Sequence, residues 1–159
     1  MTVTGSETAN IQIRVSGSYN AITAITVTGS QLSHVLVDIR GDSNAVGGLV
    51  VTSSQEAIVS VTMQSNKNTI VGGAITASEF SHATWNLNAL NTFTSAVMTT
   101  SQTSVGVVNA SGSSNALTGL TATASGAASI TVNMPSNSYA DTGRTITRSA
   151  GAVVINIPA

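Results

Sequence analysis

The sequence lacks cysteine, and it has only two prolines and few charged or aromatic residues. Without cysteine the chain forms neither a disulfide framework nor a thiolate metal site. Charged residues make up 7 % of it, against about 25 % in ordinary soluble domains. The formal net charge of −1 gives no electrostatic footprint for nucleic acid, and no apolar run approaches the ~20 residues that cross a bilayer. We therefore expect no nucleic-acid partner and no membrane insertion.

What the sequence has instead is an internal repeat of 23–24 residues. In each block the third, fifth and seventh positions are mostly apolar, as Ile11, Ile13 and Val15 are in the first block. This alternation predicts a strand with one buried face. A second strand follows, with inward residues such as Leu49 and Val51. The blocks comprise residues 9–32, 33–56, 57–80, 81–103, 104–127 and 128–150, with partial blocks at 1–8 and 151–159.

Turn residues separate the two strands of each block. The ninth position is small, as in Gly17 and Gly41, and the twelfth is Asn in five blocks, from Asn20 to Asn115. Gly and Asn both tolerate left-handed backbone angles, so positions 10–16 are predicted to be a turn. The repeat therefore predicts an all-β fold. We expect residues 1–159 to form a single β-solenoid domain of about 6–7 coils, with 23–24 residues and two main strands per coil and with uncapped ends.

Stacked coils place equal positions of successive blocks in columns. Arg14 and Asp38 occupy the sixth position of adjacent blocks and are expected to form an exposed ion pair. Further along, the same column is all Asn, which predicts an amide ladder like those of cross-β structures, made of Asn86, Asn109, Asn133 and Asn156. The outward twentieth position is Thr in every copy, which predicts a second ladder of Thr4, Thr28, Thr52, Thr76, Thr99, Thr123 and Thr147.

The two partial blocks complement each other, because residues 1–8 fill positions 17–24 and residues 151–159 fill positions 1–9. One subunit's C-terminal fragment and the next subunit's N-terminal fragment are expected to complete one coil, which makes a head-to-tail filament. Asp141 and Arg144 interrupt apolar columns near this junction, either as orienting charges or as solvated ones. Alternatively, the match between the fragments is chance, or the sequence begins and ends at arbitrary points of the repeat. The expected interface residues are Met1, Thr2, Val3, Thr4, Asp141, Arg144, Ile146, Val153, Ile155 and Ile157.

The first half of the block follows the pattern S-x-φ-x-φ-x-φ-x-G-x-x-N, where φ is apolar, as in SHVLVDIRGDSN and SVGVVNASGSSN. This pattern resembles the repeat of curlins, the subunits of bacterial curli fibres. Curlin repeats place glutamine ladders inward, whereas Val15, Ile39 and Met63 stand at those positions here. The resemblance implies an extracellular or cell-surface location, fibre assembly and a role in a biofilm or surface coat.

Groups for catalysis are sparse in this sequence. It holds two histidines and six acidic residues, and it has no GxxxxGK phosphate loop, GxSxG elbow or GGxGxD calcium nonapeptide. His34 and His82 share the second position but lie two blocks apart, about 9–10 Å at the spacing of stacked strands. That separation is too large for one metal ion. We therefore expect no enzymatic activity, no cofactor and no metal site.

Two other functions fit the same repeat. Outward Thr-x-Thr pairs, such as Thr26 and Thr28, resemble the arrays of ice-binding solenoids, although Val50, Ala74 and Val97 interrupt the array. The chain also fits the shaft segment of an adhesin or phage fibre whose binding tip lies on another chain. The sequence thus predicts a structural subunit that polymerises with itself, with ice binding and a fibre shaft as alternatives.

Overall fold

The structure is a computed structural model, which describes residues 1–64, 66–88, 91–111, 115–133, 139–143, 145–150 and 152–156. Within these residues the chain forms twenty strands and no helix. Each strand pairs in parallel with the equivalent strand of the next coil, as in Thr2 with Thr26 and Asn10 with His34. The all-β solenoid predicted from the sequence is therefore confirmed.

The strands, numbered in chain order, lie in three parallel sheets. The first sheet consists of β1 (Thr2–Gly5), β4 (Ile25–Gly29), β7 (Leu49–Ser53), β10 (Gly73–Ala77), β13 (Val97–Thr100), β16 (Thr121–Ser125) and β19 (Thr145–Ser149). The second consists of β2 (Asn10–Val15), β5 (His34–Ile39), β8 (Ile58–Met63), β11 (His82–Leu87), β14 (Val105–Ala110), β17 (Ser129–Asn133) and β20 (Ala152–Asn156). The third consists of β3 (Ala21–Ile22), β6 (Ala45–Val46), β9 (Thr69–Val71), β12 (Thr92–Thr94), β15 (Asn115–Thr118) and β18 (Tyr139–Thr142).

The third sheet lies in the segment that the sequence predicts to be a turn, so each complete coil has three strands rather than two main ones. Strands of two to four residues are too short for alternation to be visible within one coil. Their signal lies instead in the column that stacking creates. The fourteenth position is apolar in five successive coils, at Ile22, Val46, Ile70, Phe93 and Leu117.

One hydrophobic core runs through the coils, enclosed by the three sheets. Val37 of the second sheet, Val51 of the first and Val46 of the third are all buried in it. The bulkiest core side chains, Trp85 and Phe93, stack on each other in the coil formed by β11–β13. Elsewhere the core consists mainly of buried aliphatic side chains, from Ile25 and Leu49 down to small ones such as Ala122, which is how a chain with 3 % aromatic residues fills its interior.

Left-handed backbone occurs at the corners between all three sheets, and at the corner before the first sheet it is found from the third coil onward, at Gly72, Ser95, Gly119 and Gly143. At the corner after the second sheet, Gly17 and Gly41 have φ of +96° and +97°, as their position predicts. The Asn at position twelve does not have a positive φ, and the residue before it does, as in Tyr19 and Ser43. At the corner before the second sheet, the left-handed residue occurs once per coil, at Glu7, Gln31, Gln55, Glu79, Gln102, Gly126 and Ala150.

The Asn at position twelve therefore has a different role from the predicted one. Its side chain turns inward and joins neighbouring coils: Asn44 Oδ1 accepts the backbone N–H of Asn20 at 3.0 Å, and Asn68 Oδ1 accepts that of Asn44 at 2.9 Å. Asn91 Oδ1 continues the series by accepting the N–H of Asn68 at 3.0 Å. Asn44, Asn68 and Asn91 are buried, so this inner amide ladder satisfies backbone donors that water does not reach.

Candidate functional site

The edges of the first sheet are β1 at one end of the solenoid and β19 at the other. Pairing at the first edge begins with Met1, whose backbone carbonyl accepts the N–H of Thr26 at 2.8 Å. The amino terminus of Met1 donates to the carbonyl of Ala24 at 2.8 Å. The outer sides of β1 and β19 present backbone groups of the kind that recruit another strand. The two edges are therefore the candidate assembly site.

At both ends of the solenoid that the structure describes, no further coil packs over the inward-facing residues, so several of them are partly exposed. Ile146 of β19 is 43 % exposed, whereas Ala122, its neighbour in the same column, is fully buried. Val3 of β1 is only partly buried, whereas Val27 beside it is fully buried. This one column, which forms part of the core in the middle of the solenoid, thus presents apolar surface at both ends, whereas the next inward column of the first sheet ends in the exposed Arg148, opposite Ala124.

The predicted interface residues divide between these two ends. Met1 and Thr2 to Thr4 form the β1 edge, and Ile146 and Val153 belong to β19 and β20. Asp141 and Ile155 lie in β18 and β20 and are described in their backbone only, and Arg144 and Ile157 lie outside the described residues. One chain therefore keeps the two groups apart at opposite ends of the stack, and contact between them requires a second chain.

The outward Asn ladder of the second sheet is formed by amide–amide hydrogen bonds. Asn109 Nδ2 donates to Asn86 Oδ1 at 3.1 Å, and Asn133 Nδ2 donates to Asn109 Oδ1 at 2.8 Å. Asn156 Nδ2 donates to Asn133 Oδ1 at 2.7 Å. All three bonds run in the same direction, from each coil toward the preceding one.

Toward the other end of this column, the exposure and the partners of the Asp38 side chain differ from the prediction. The predicted ion pair with Arg14 forms, but the side chain of Asp38 is 1 % exposed, so the expectation that the pair is exposed is wrong for Asp38. Arg40 Nε lies 2.5 Å from Asp38 Oδ2, and Arg14 Nε of the preceding coil lies 3.7 Å from the same oxygen. The two half-exposed guanidinium groups cover the carboxylate. The sequence pattern missed Arg40 because it lies at the corner, two residues beyond Asp38 and outside the column.

The Thr ladder forms an unbroken column on the outside of the first sheet. Thr4 pairs with Thr28, Thr28 with Thr52, and Thr52 with Thr76. The register continues through Thr99, Thr123 and Thr147. The neighbouring outward column contains Thr only toward the two ends, because Val50, Ala74 and Val97 fill its middle. The sheet thus carries one complete Thr column and one interrupted column.

The described part of the chain contains no group of three His, Asp or Glu side chains placed to hold a metal ion. His34 and His82 are both exposed on the second sheet, and Ile58 separates them in their column. No helix long and apolar enough to cross a membrane occurs among the described residues.

No family model matches this chain, and neither the comparison with curated proteins nor that with solved structures found a match. The resemblance of the half-block to curlins therefore stays a prediction based on the repeat pattern alone.

Proposed function

We propose that the chain is the structural subunit of a self-assembling filament, in which copies stack head to tail and continue one β-solenoid. The observation that carries this proposal is the exposure of a core column at both ends, at Ile146 on one side and Val3 on the other. Burying apolar surface is the main favourable term in protein association. A second copy of this chain presents the complementary columns in the same geometry.

The repeat defines the register of the junction. With β1 of the next copy beside β19, Thr2 follows Thr145, Val3 follows Ile146 and Thr4 follows Thr147, as equal positions do between β16 and β19. In the second sheet, β2 of the next copy follows β20, so Ile11 covers Val153. Main-chain hydrogen bonds supply affinity in such strand addition, and the side-chain columns select the register.

This contact is heterologous, since the surface used on one copy differs from the surface used on the other. A heterologous contact whose rotation does not close extends without limit. Each added copy again presents an open β19 and β20, so the expected product is a thin, unbranched filament. The partner of this protein is then the protein itself.

The resemblance of SHVLVDIRGDSN to curlin repeats supports an extracellular or cell-surface place for this filament. A composition of small polar residues with 7 % charged residues suits a fibre that is built from repeated columns. A biofilm or surface coat is the role that the resemblance implies.

Electron microscopy of the purified protein tests the proposal directly. Seven coils per subunit at the spacing of parallel strands give an expected axial repeat of about 34 Å. Ile146→Lys places a charge in the exposed core column and should block growth. Val50→Lys is the matched control, because Val50 is similarly exposed, at 42 %, but faces outward in the middle of the sheet. Monodisperse particles of the unaltered protein at every concentration would refute the filament.

A second candidate function, ice binding, is favoured by one observation, the seven-membered Thr column in continuous register. Thermal hysteresis of the purified protein tests it. Thr76→Lys places a bulky charge at an exposed position in the middle of that column and should abolish hysteresis. His82→Lys, at an exposed outward position of the second sheet, should leave it intact. An absence of hysteresis in the unaltered protein would exclude this function.

A further inference from the structure

The outward Asn ladder has a donor end and an acceptor end. Each of its three hydrogen bonds runs from Nδ2 of one Asn to Oδ1 of the Asn in the preceding coil. In the last coil Asn156 uses its Nδ2 on Asn133, and its Oδ1 faces the side where the next coil would lie. An amide oxygen has two lone pairs and accepts from N–H donors. The C-terminal end of this column therefore presents an acceptor.

The N-terminal end of the same column presents a donor. Arg14 occupies the equivalent position in the first complete coil and pairs in register with Asp38. A guanidinium group carries five N–H donors and no acceptor. Arg14 Nε lies 3.7 Å from Asp38 Oδ2 and the side chain is about half exposed, while the backbone pairing of β2 with β5 places Arg14 in the column. Its remaining donors are available to a group on the opposite side.

We propose that Arg14 of one copy donates to Oδ1 of Asn156 of the preceding copy and so sets the polarity of the filament. The inference rests on the proposed function, because it requires β2 of one copy to follow β20 of another. In that arrangement Asn156 and Arg14 occupy the same column in consecutive coils. The ladder in this column then continues from Asn86 through Asn156 of one copy into Arg14 and Asp38 of the next. Every junction between copies joins an acceptor to a donor.

The wrong orientations lack this match. Two N-terminal ends brought together turn an Arg14 of each copy toward the same interface with no Asn156 acceptor on either side, and like charges at an interface oppose binding. Two C-terminal ends bring two amides together without the cation. Only head-to-tail contact gives a charge-assisted hydrogen bond, which is stronger than one between neutral groups. The column thus discriminates between orientations as well as between registers.

Asn156→Lys tests the contact, since its ammonium group retains a donor for Asn133 but places a cation opposite Arg14. The critical concentration for polymerisation should rise at least about tenfold, as repulsion replaces attraction. Ala152→Lys is the matched control, because it adds the same charge on the same face of β20 opposite Asn10 rather than Arg14. It should change the critical concentration by less than about twofold. Combining Asn156→Lys with Arg14→Asn should restore polymerisation.

A capping experiment tests the polarity independently. An Asn156→Lys copy still has an unaltered N-terminal end, so it adds to a growing C-terminal filament end and then stops growth there. Small amounts of this variant should therefore stop elongation at one end of labelled filament seeds and leave the other end growing. Thermal melting of each variant as a monomer checks that its fold is intact.

The outcomes separate this inference from the proposed function. If the unaltered protein forms no filaments, the proposed function fails and this contact fails with it. If it forms filaments and Asn156→Lys polymerises like the unaltered protein, the filament stands and the Arg14–Asn156 contact is refuted. Inhibition by Ala152→Lys equal to that by Asn156→Lys would also refute it, because charge alone would then explain the effect.

Discussion

The indole ring of Trp85 stacks on the phenyl ring of Phe93, with the ring centroids 4.1 Å apart and the planes inclined by 28°. Trp85 comes from the second sheet and Phe93 from the third, so the pair joins two sides of one coil. Gly73 in the preceding coil leaves room for the phenyl ring, which a Cβ at that position would overlap. A single aromatic pair thus fills a coil whose neighbours are filled by aliphatic side chains.

Phe93→Ala should therefore destabilise the fold strongly. Truncating a buried Phe leaves a cavity and costs about 3–5 kcal/mol of unfolding free energy. Val97→Ala, at an exposed position of the same coil, should change the unfolding free energy by less than about 0.5 kcal/mol. Urea denaturation followed by tryptophan fluorescence measures both. Equal midpoints for the two variants would contradict the described packing.

Asp38→Asn should destabilise the fold, because it removes the charge that Arg14 and Arg40 share. Since both guanidinium groups are about half exposed, solvent compensates part of the loss, and we expect a decrease of about 1–3 kcal/mol. Asp42→Asn is the control: Asp42 Oδ1 accepts the backbone N–H of Asn66, and an amide oxygen can accept it equally well. Chemical denaturation should therefore give Asp38→Asn a clearly lower unfolding free energy than Asp42→Asn. The reverse order would contradict the assigned interaction of Asp38 with Arg14 and Arg40.

The inner amide ladder predicts a large effect for Asn44→Ala. Asn44 Oδ1 accepts both the backbone N–H and the Nδ2 of Asn20, and Asn44 Nδ2 donates to the carbonyl of Gly41. Leaving buried donors unpaired costs about 1–3 kcal/mol. Asn10→Ala, on an exposed face, should have little effect. Amide hydrogen exchange at Asn20 should also accelerate in Asn44→Ala, and unchanged protection there would argue against the ladder.

Gly17 and Gly41 form a matched pair for testing how the coils stack. Both have φ near +96°, so an Ala at either position is strained by about 1–2 kcal/mol. At Gly41 the added Cβ would also overlap the backbone of Gly17, whereas at Gly17 the nearest atom lies 3.7 Å away, at Asn20 Nδ2. Thermal melting should therefore show a larger loss for Gly41→Ala than for Gly17→Ala. Equal losses would mean that backbone strain alone matters.

The fold class can be predicted from the sequence because each column of the solenoid corresponds to a residue type that recurs at a fixed interval. Ile11, Ile13 and Val15 alternate within one strand, and the Thr of position twenty recurs at a fixed interval, so both the strand and the register follow from spacing. The third sheet is harder to recognise, since Ala21–Ile22 is too short to show a period. Its inward column from Ile22 to Leu117 becomes visible only when coils are superposed.

The interactions at the corners are less accessible to sequence reasoning. Asn20 and Asn44 have the residue type of a turn, yet their side chains serve as a ladder and their neighbours Tyr19 and Ser43 adopt the left-handed angles. The burial of Asp38 depends on Arg40, whose position beyond the strand end is outside the repeat pattern. Strand spacing specifies which residues share a column, but it does not specify which side chains bend around a corner to cover them.

In the part of the chain that the structure describes, every strand pairs with its counterparts in the adjacent coils, so the molecule is close to a one-dimensional array. In such an array stability is close to a sum of coil terms and nearest-neighbour terms, so no coil depends on a distant one. Partial unfolding is then expected to begin at a terminal coil and to proceed from one coil to the next. A filament of such subunits would fray from its tips, while its interior is protected by neighbours on both sides.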